Sequence, residues 1–305
     1  MNSAKTRLGL DLGGTKIATI VFGDGERVLH TDRMAAPRGS YELTLDAIAG
    51  AIERADLASG GHPSIGIGIP GSLAPSSGLV QNANSTWLNG RPLGRDLTVR
   101  LKREVRIAND ANCFALSEAA DGAGAGRTSV FGVILGTGCG GGLVSHGRLI
   151  DGPRGTGGEW GHNPLPWPDA SEMDAPVCWC GKHGCMEAWV SGPAMSADYE
   201  RHTGERLKGE TIAARAAQGD EAAKATLERH SSRLARGLAS IINVFDPEVI
   251  VLGGGLSRLE HLYAMLPAQV APWLFSDDQR VDIRPPVHGD ASGVRGAARL
   301  WDEAG

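Results

Sequence analysis

The chain has 305 residues, 41% of them hydrophobic, with 30 Lys and Arg against 35 Asp and Glu for a formal charge of −5. That length exceeds what one core fills efficiently and implies two domains, and the acidic balance without basic clusters speaks against a nucleic-acid partner. The N-terminus lacks the apolar segment of a signal peptide, and no uncharged apolar run reaches about 18 residues, so a cytoplasmic protein with no membrane partner is expected.

The first predicted strand covers 7–13 and the second 16–22, joined by Gly14-Thr15 in a tight hairpin. A helix is predicted over 40–57, with Leu43, Ile48, Ile52 and Leu57 near helical spacing. "SIGIGIPG" reads as a buried strand ending at Pro70-Gly71, and "EVRIANDANCFALSEAADG" as strand, turn and helix with Asp110 in the turn. "VFGVILGTGCGGGLVSHGRLI" then repeats the opening pattern of strand, glycine turn and strand, which suggests two halves on one plan. The loop over about 151–192 carries little regular patterning. A long amphipathic helix over 220–245 follows, with Leu227, Leu234, Leu238, Ile241 and Phe245 on or near one stripe. "DPEVIVLGGGLS" is turn, strand and glycine turn, and "GVRGAARLWDEA" a terminal helix. Strands alternating with helices, with glycine turns at strand ends, place ligands at those ends.

Each motif has a plain reading beside a functional one. "DLGGTK" (Asp11, Gly13, Gly14, Thr15, Lys16) is either a common Gly-Gly hairpin or an acid and exposed amides suited to a magnesium-bound polyphosphate; it is not a P-loop, because a strand follows it. Gly136, Thr137 and Gly138 form a second such turn and Gly253, Gly254 and Gly255 a third. Three turns at strand ends fit one nucleotide better than three unrelated hairpins. In "ANDAN", Asp110 is either a helix N-cap or a general base, and Asn112 could supply the cap and leave Asp110 free.

Three of the five cysteines stand as C-x-C-x4-C at Cys178, Cys180 and Cys185, and the odd count with no export signal argues against a disulfide framework. Three thiolates plus one imidazole satisfy tetrahedral zinc, with His162 or His183 as the fourth ligand; a redox pair would more typically be C-x-x-C. Such a closed site holds a loop rather than performing chemistry. Cys113 and Cys139 read as small buried residues, and the tryptophans outside the 160s, Trp179 among them, carry no usable pattern.

In order along the chain, "DLGGTK", "GIGIPG", "NDAN", "GTGCGGG", "GEWGHN", "CWCGKHGCME" and "IVLGGG" resemble the ROK family of bacterial sugar kinases and repressors. The resemblance implies an α/β, two-lobed ribonuclease-H-like fold of the actin and hexokinase type with a zinc-stabilised loop. It also implies a cleft for ATP with magnesium and a hexose, and a homodimer. It makes Asp110 the base that deprotonates the attacking hydroxyl, and Gly71, Asn84, Asn109, Glu159, His162 and Glu187 sugar contacts. It places Asp11 near magnesium, the three glycine turns on the nucleotide, and His162 rather than His183 on the zinc. The implied lobes are 1–120 and 121–290, with 291–305 packing back on the first. "NANSTWLNGRPL" and "EWGHNPLPW" look like the fructokinase branch, which implies fructose to fructose 6-phosphate, with glucose, mannose or N-acetylhexosamine as alternatives. A family repressor needs a helix-turn-helix before its first strand, and ten residues before Asp11 leave no room for one; a catalytically silent sugar sensor is the remaining alternative.

Overall fold

The computed structural model describes residues 6–302. Strands β1 (Arg7–Leu12), β2 (Lys16–Phe22) and β3 (Val28–Ala35) form an antiparallel meander; helix α1 (Tyr41–Ser59) then crosses over to β4 (Ser64–Ile69). A small hairpin of β5 (Ser72–Leu73) and β6 (Val80–Gln81), helix α2 (Leu93–Leu101), strand β7 (Val105–Asn109) and helix α3 (Asp110–Asp121) complete the first half. The first sheet has the order β3-β2-β1-β4-β7, with β4 parallel to both β1 and β7.

The second half repeats the plan. Strands β8 (Ser129–Leu135), β9 (Cys139–Ser145) and β10 (Arg148–Leu149) form the meander. After helices α4 (Glu187–Val190), α5 (Gly192–Thr203), α6 (Gly209–Ala217) and α7 (Glu221–Phe245) come β11 (Val249–Gly253), α8 (His261–Val270), β12 (Ile283–Arg284) and α9 (Ser292–Ala298). The sheet order β10-β9-β8-β11-β12 has the same antiparallel and parallel pattern as the first. The repeat suggested by the two glycine hairpins is therefore a repeat of whole sheets.

Each sheet has its own core. Ile48 and Ile52 of α1 pack on Leu8, Leu10, Ile65 and Ile67, while Leu234 and Leu238 of α7 join Phe131, Val133, Ile250 and Leu252. The stripe expected on α1 is corrected by two residues at each end: Leu43 and Leu57 are exposed, and Tyr41, Leu45 and Ala55 take the inward places.

Helices α3 and α9 join the halves. Helix α9 lies so close on the first sheet that a Cβ at Gly9 would stand 2.0 Å from Val294 O, and one at Gly66 1.8 Å from Ala297 O. Those glycines in "LGL" and "SIGIGI" are there for backbone-on-backbone packing. The fully buried Glu118 of α3 fastens the joint, accepting from the N–H groups of Ala123, Val287 and His288 and from Ser292 Oγ. Asp121, three residues on, accepts from Arg295 and Arg299. The last three residues of the expected terminal helix, 303–305, lie outside the described residues; within them α9 ends at Ala298 and a 3-10 turn covers Arg299–Trp301.

Glu118→Ala leaves the N–H groups of Ala123, Val287 and His288 without this acceptor, Ser292 Oγ retaining Gly289 O, and empties a fully buried side-chain site; it is expected to lower stability by roughly 3 kcal/mol. Thermal and denaturant unfolding measure this, and an unchanged midpoint would contradict the role given to Glu118.

Candidate active site

Strand β7 runs straight into α3, so the expected turn at Asp110 is absent. The cap is Asn109, not Asn112: Asn109 Oδ1 accepts from the N–H of Ala111 and of Asn112. Its Nδ2 donates to Gly71 O at 3.0 Å. Gly71 has φ +73° and sits against Gln81 O and Ala83 N, where a side chain would collide. Asn112 is instead buried inside the helix. With the cap supplied by its neighbour, Asp110 occupies the first helical position, one oxygen accepting from Ala111 N–H at 2.8 Å.

Asp110 lines a cleft of about 590 Å³ between the two halves, together with Gly71, Asn84, Asn109, Glu159, His162 and Glu187. These are all of the residues expected to contact a sugar. Gly136, Thr137 and Gly138, the turn between β8 and β9, line it too. Gly254 (φ +79°) packs its turn against the backbone of Leu135 at the end of β8 and opens on a separate hollow of about 280 Å³. The first hairpin differs from expectation: Gly14, Thr15 and Lys16 are exposed at its tip, and neither they nor Gly13 line the cleft. A side chain is tolerated there, since nothing lies within 4 Å of a Cβ at Gly14.

The acids interact. Burial pushes Asp110 up to about 6, partly offset by the N–H of Ala111 and reinforced by the charge of Glu159. Burial pushes Asp11 up to about 7, and the charge of Asp110 adds to this. Glu159 is raised by burial, His162 opposing and Glu187 adding. Such carboxylates attract a cation or a proton when the cleft is empty.

The cysteine loop closes one side. Residues 163–165 run against 184–186, with Leu165 N–H donating to Gly184 O and Met186 N–H to Asn163 O, and Cys178 N–H closes a turn on Lys182 O at 2.8 Å. The ligand atoms of His162, Cys178, Cys180 and Cys185 all lie within 4.8 Å of one another. Cys180 Sγ is 3.6 Å from Cys185 Sγ, and Cys178 Sγ 3.7 Å from His162 Nδ1. Tetrahedral zinc, with bonds of about 2.0–2.3 Å, needs ligand separations of about 3.3–3.8 Å, so the cluster fits that ion. Burial first and the neighbouring thiols second push Cys185 up to about 12, which a bound cation would reverse. His183 stands apart, exposed, with Nδ1 3.4 Å from Ala175 O. A second anchor holds the loop down: the buried Glu172 accepts from Arg233 and Arg236 of α7.

Residues that sequence reasoning passed over complete the site. Asn89 fixes the backbone beside Asn84 by exchanging two 2.9 Å hydrogen bonds with Ala83. Trp179, between two of the cysteines, lines the cleft and donates its indole N–H to Glu187 Oε1. The otherwise plain Cys139 gives its backbone N–H to Glu187 Oε2 at 2.9 Å. An Asn six residues after Ala83 and a Trp inside the C-x-C were the only signals, and neither has a periodicity to reveal it.

The ROK family pattern matches residues 7–304. The chain belongs to the ROK family. This ROK protein is 42% identical over 296 residues to N-acetyl-D-glucosamine kinases of Shigella boydii serotype 4 and Escherichia coli O9:H4, covering 96% of this chain and 98% of theirs. Among solved structures it is similar to the ROK hexokinase of Thermus thermophilus, with 34% identity, TM-score 0.85 and 96% of each chain covered. It is also similar to a ROK glucokinase of Streptomyces griseus in complex with glucose and AMPPNP, with 29% identity, TM-score 0.80, and 98% and 100% of the chains covered. The two-lobed α/β fold expected from the resemblance is the fold observed. Among the described residues no helix is long and apolar enough to cross a membrane.

Two outcomes follow from the geometry. Elemental analysis is expected to find about one zinc per chain, lost in Cys180→Ser with a melting temperature lowered by several degrees; metal-free native protein would contradict this. Asp110 titrates near 6 when folded against an ordinary 3.8, so the fold favours its protonated form and loses stability as pH rises through about 6. Asp110→Asn should therefore raise the melting temperature of the ligand-free protein at pH 8, and the gain should vanish as pH falls toward 4. An equal gain at both pH values would contradict the burial of that charge.

Proposed function

We propose that this chain transfers the γ-phosphoryl group of ATP to a hydroxyl of a hexose, and that the hexose is N-acetyl-D-glucosamine. The observation that supports the reaction is Asp110, half-buried and raised to about 6, in one cleft with Glu159, His162, Glu187 and the Gly136–Gly138 turn. The sugar rests on the 42% identity, over nearly the whole length, to enzymes of that name. Fructose, expected from two short segments, has no such support, so the reading passes to the N-acetylhexosamine alternative.

Asp110 accepts the proton of the attacking sugar hydroxyl, and that hydroxyl's oxygen forms the bond to the γ-phosphorus as the bond from phosphorus to the ADP oxygen breaks. A base titrating near 6 is ionised at neutral pH yet still basic enough to take a proton. Glu159, Glu187, Asn109 and the free nitrogen of His162 orient the sugar. The Gly136 N–H closes the turn on Gly138 O; the N–H groups of Thr137 and Gly138 face the phosphates, where amides at fixed positions stabilise developing charge without reorganising. Magnesium accompanying ATP would neutralise phosphate charge, with Asp11 the acid placed near it. Gly254, between Gly253 and Gly255, lines the hollow that takes the nucleoside end. His162, Cys178, Cys180 and Cys185 would hold a zinc ion whose part is structural, steadying the loop that carries His162 and Trp179.

ADP release from ATP and magnesium, measured over N-acetyl-D-glucosamine, glucose, mannose and fructose, tests this. N-acetyl-D-glucosamine is expected to lead by about tenfold or more in kcat/KM, a transition-state preference of about 1.4 kcal/mol. Asp110→Asn is expected to cost roughly 10²–10⁴-fold in kcat. A lead for fructose would overturn the sugar and leave the reaction standing; near-native rates in Asp110→Asn would overturn the base.

A further inference from the structure

We propose that Trp179 is a sugar-contacting residue, an apolar platform on which the C–H face of a pyranose ring rests. This deepens the reading above and depends on a sugar occupying the cleft. The residue lies between Cys178 and Cys180, so the metal-binding turn fixes its backbone: Cys178 N–H reaches Lys182 O and Gly181 N–H reaches Cys178 O, at 2.8 and 2.9 Å. Its side chain is nevertheless 61% exposed, and the surface it exposes lines the cleft. An incidental surface tryptophan would have no fixed orientation. This one is held at two points. Its indole N–H donates to Glu187 Oε1 at 2.5 Å, and its ring meets that of His162 edge-on, with centroids 5.1 Å apart and planes at 85°.

The surroundings explain why a large apolar face is useful there. Asn84, Thr86, Asn109, Asp110, Glu159 and Glu187 supply the polar groups of the cleft wall, and Trp179 is the largest apolar side chain among the residues that line it. Polar groups alone grip hydroxyls but leave the ring's C–H surface against water. An indole face carries the negative side of its quadrupole toward such polarised C–H groups, and ligand sites usually pair apolar walls with a few placed polar groups. Glu187 is meanwhile pinned at both oxygens, by Trp179 and by the N–H of Cys139. Its remaining lone pairs then meet the sugar in one orientation. The cysteine cluster thereby acts on the sugar through the residue it brackets.

The test uses the full zinc-loaded protein, with Trp179→Phe, which keeps a ring and loses the N–H, and Trp179→Ala, which loses both. N-acetyl-D-glucosamine titrated without nucleotide should change the intrinsic fluorescence of the native protein, and most of that change should be missing in Trp179→Phe although six of the seven tryptophans remain. In steady state the loss should fall on KM rather than kcat, about tenfold in Trp179→Ala and less in Trp179→Phe. Zinc content should stay at the native level in both. A fluorescence change that survives in Trp179→Phe, or a native KM in the variants, would overturn the proposal while leaving the kinase reading intact. If Trp179→Ala does not fold, Trp179→Phe decides on the same two readings. A Trp179-dependent fluorescence change with no ADP release from any hexose would do the reverse, supporting the platform and overturning the kinase.

Discussion

A helix that begins where a strand ends leaves its first N–H groups without partners, and in this chain a single side-chain amide at that junction solves the problem for the whole site. Asn109 accepts from two of those N–H groups and donates to Gly71 O on the neighbouring strand end. Because the cap is one residue early, Asp110 does not have to cap and stays in the cleft wall. Moving the cap to Asp110 or Asn112 would rotate the acid out of the cleft or consume it. The desolvation that this position imposes on Asp110 outweighs the N–H group that lowers its pKa. The cost to stability and the value to proton transfer come from the same burial.

The remaining architecture holds that junction still and brings the second half to it. Helix α3 carries Asp110 at one end and Glu118 and Asp121 toward the other, where they bind the crossover into α9. Glycines let α9 lie directly on β1 and β4. Across the cleft, Glu187 at the start of α4 links three things that sequence order keeps apart: the β8–β9 turn through Cys139, the cysteine turn through Trp179, and the cleft itself. His162 belongs to both the His-Cys cluster and the cleft wall. The geometry of that cluster and of the cleft wall are thus one constraint on this side.

Much of this was legible from the chain. Glycine turns at strand ends, the strand-to-helix "NDAN" and the C-x-C-x4-C spacing each have a local physical cause; the β8–β9 turn, Asn109 and Asp110, and the cysteine loop meet at one cleft, whereas the tip of the first hairpin and the turn after β11 do not line it. What escaped was set by contacts across long separations. Whether Asn109 or Asn112 caps depends on where the strand stops, which is set by pairing with β4. Trp179 has meaning only once Glu187 lies beside it. Glu118 looks like an ordinary helix acid until residues 287–292 fold over it. Leu43 and Leu57 were placed inward because helical spacing alone does not say which edge of a stripe faces the sheet. The choice of sugar rests on contacts finer than any motif.

The most direct measurement of the central claim is ³¹P NMR of ATP and magnesium incubated with the protein and N-acetyl-D-glucosamine. The account predicts a phosphomonoester resonance coupled to sugar protons, growing in step with ADP and absent when the sugar is omitted. Inorganic phosphate as the only product, or ATP left unchanged, would contradict the claim that this cleft directs the phosphoryl group to a sugar hydroxyl.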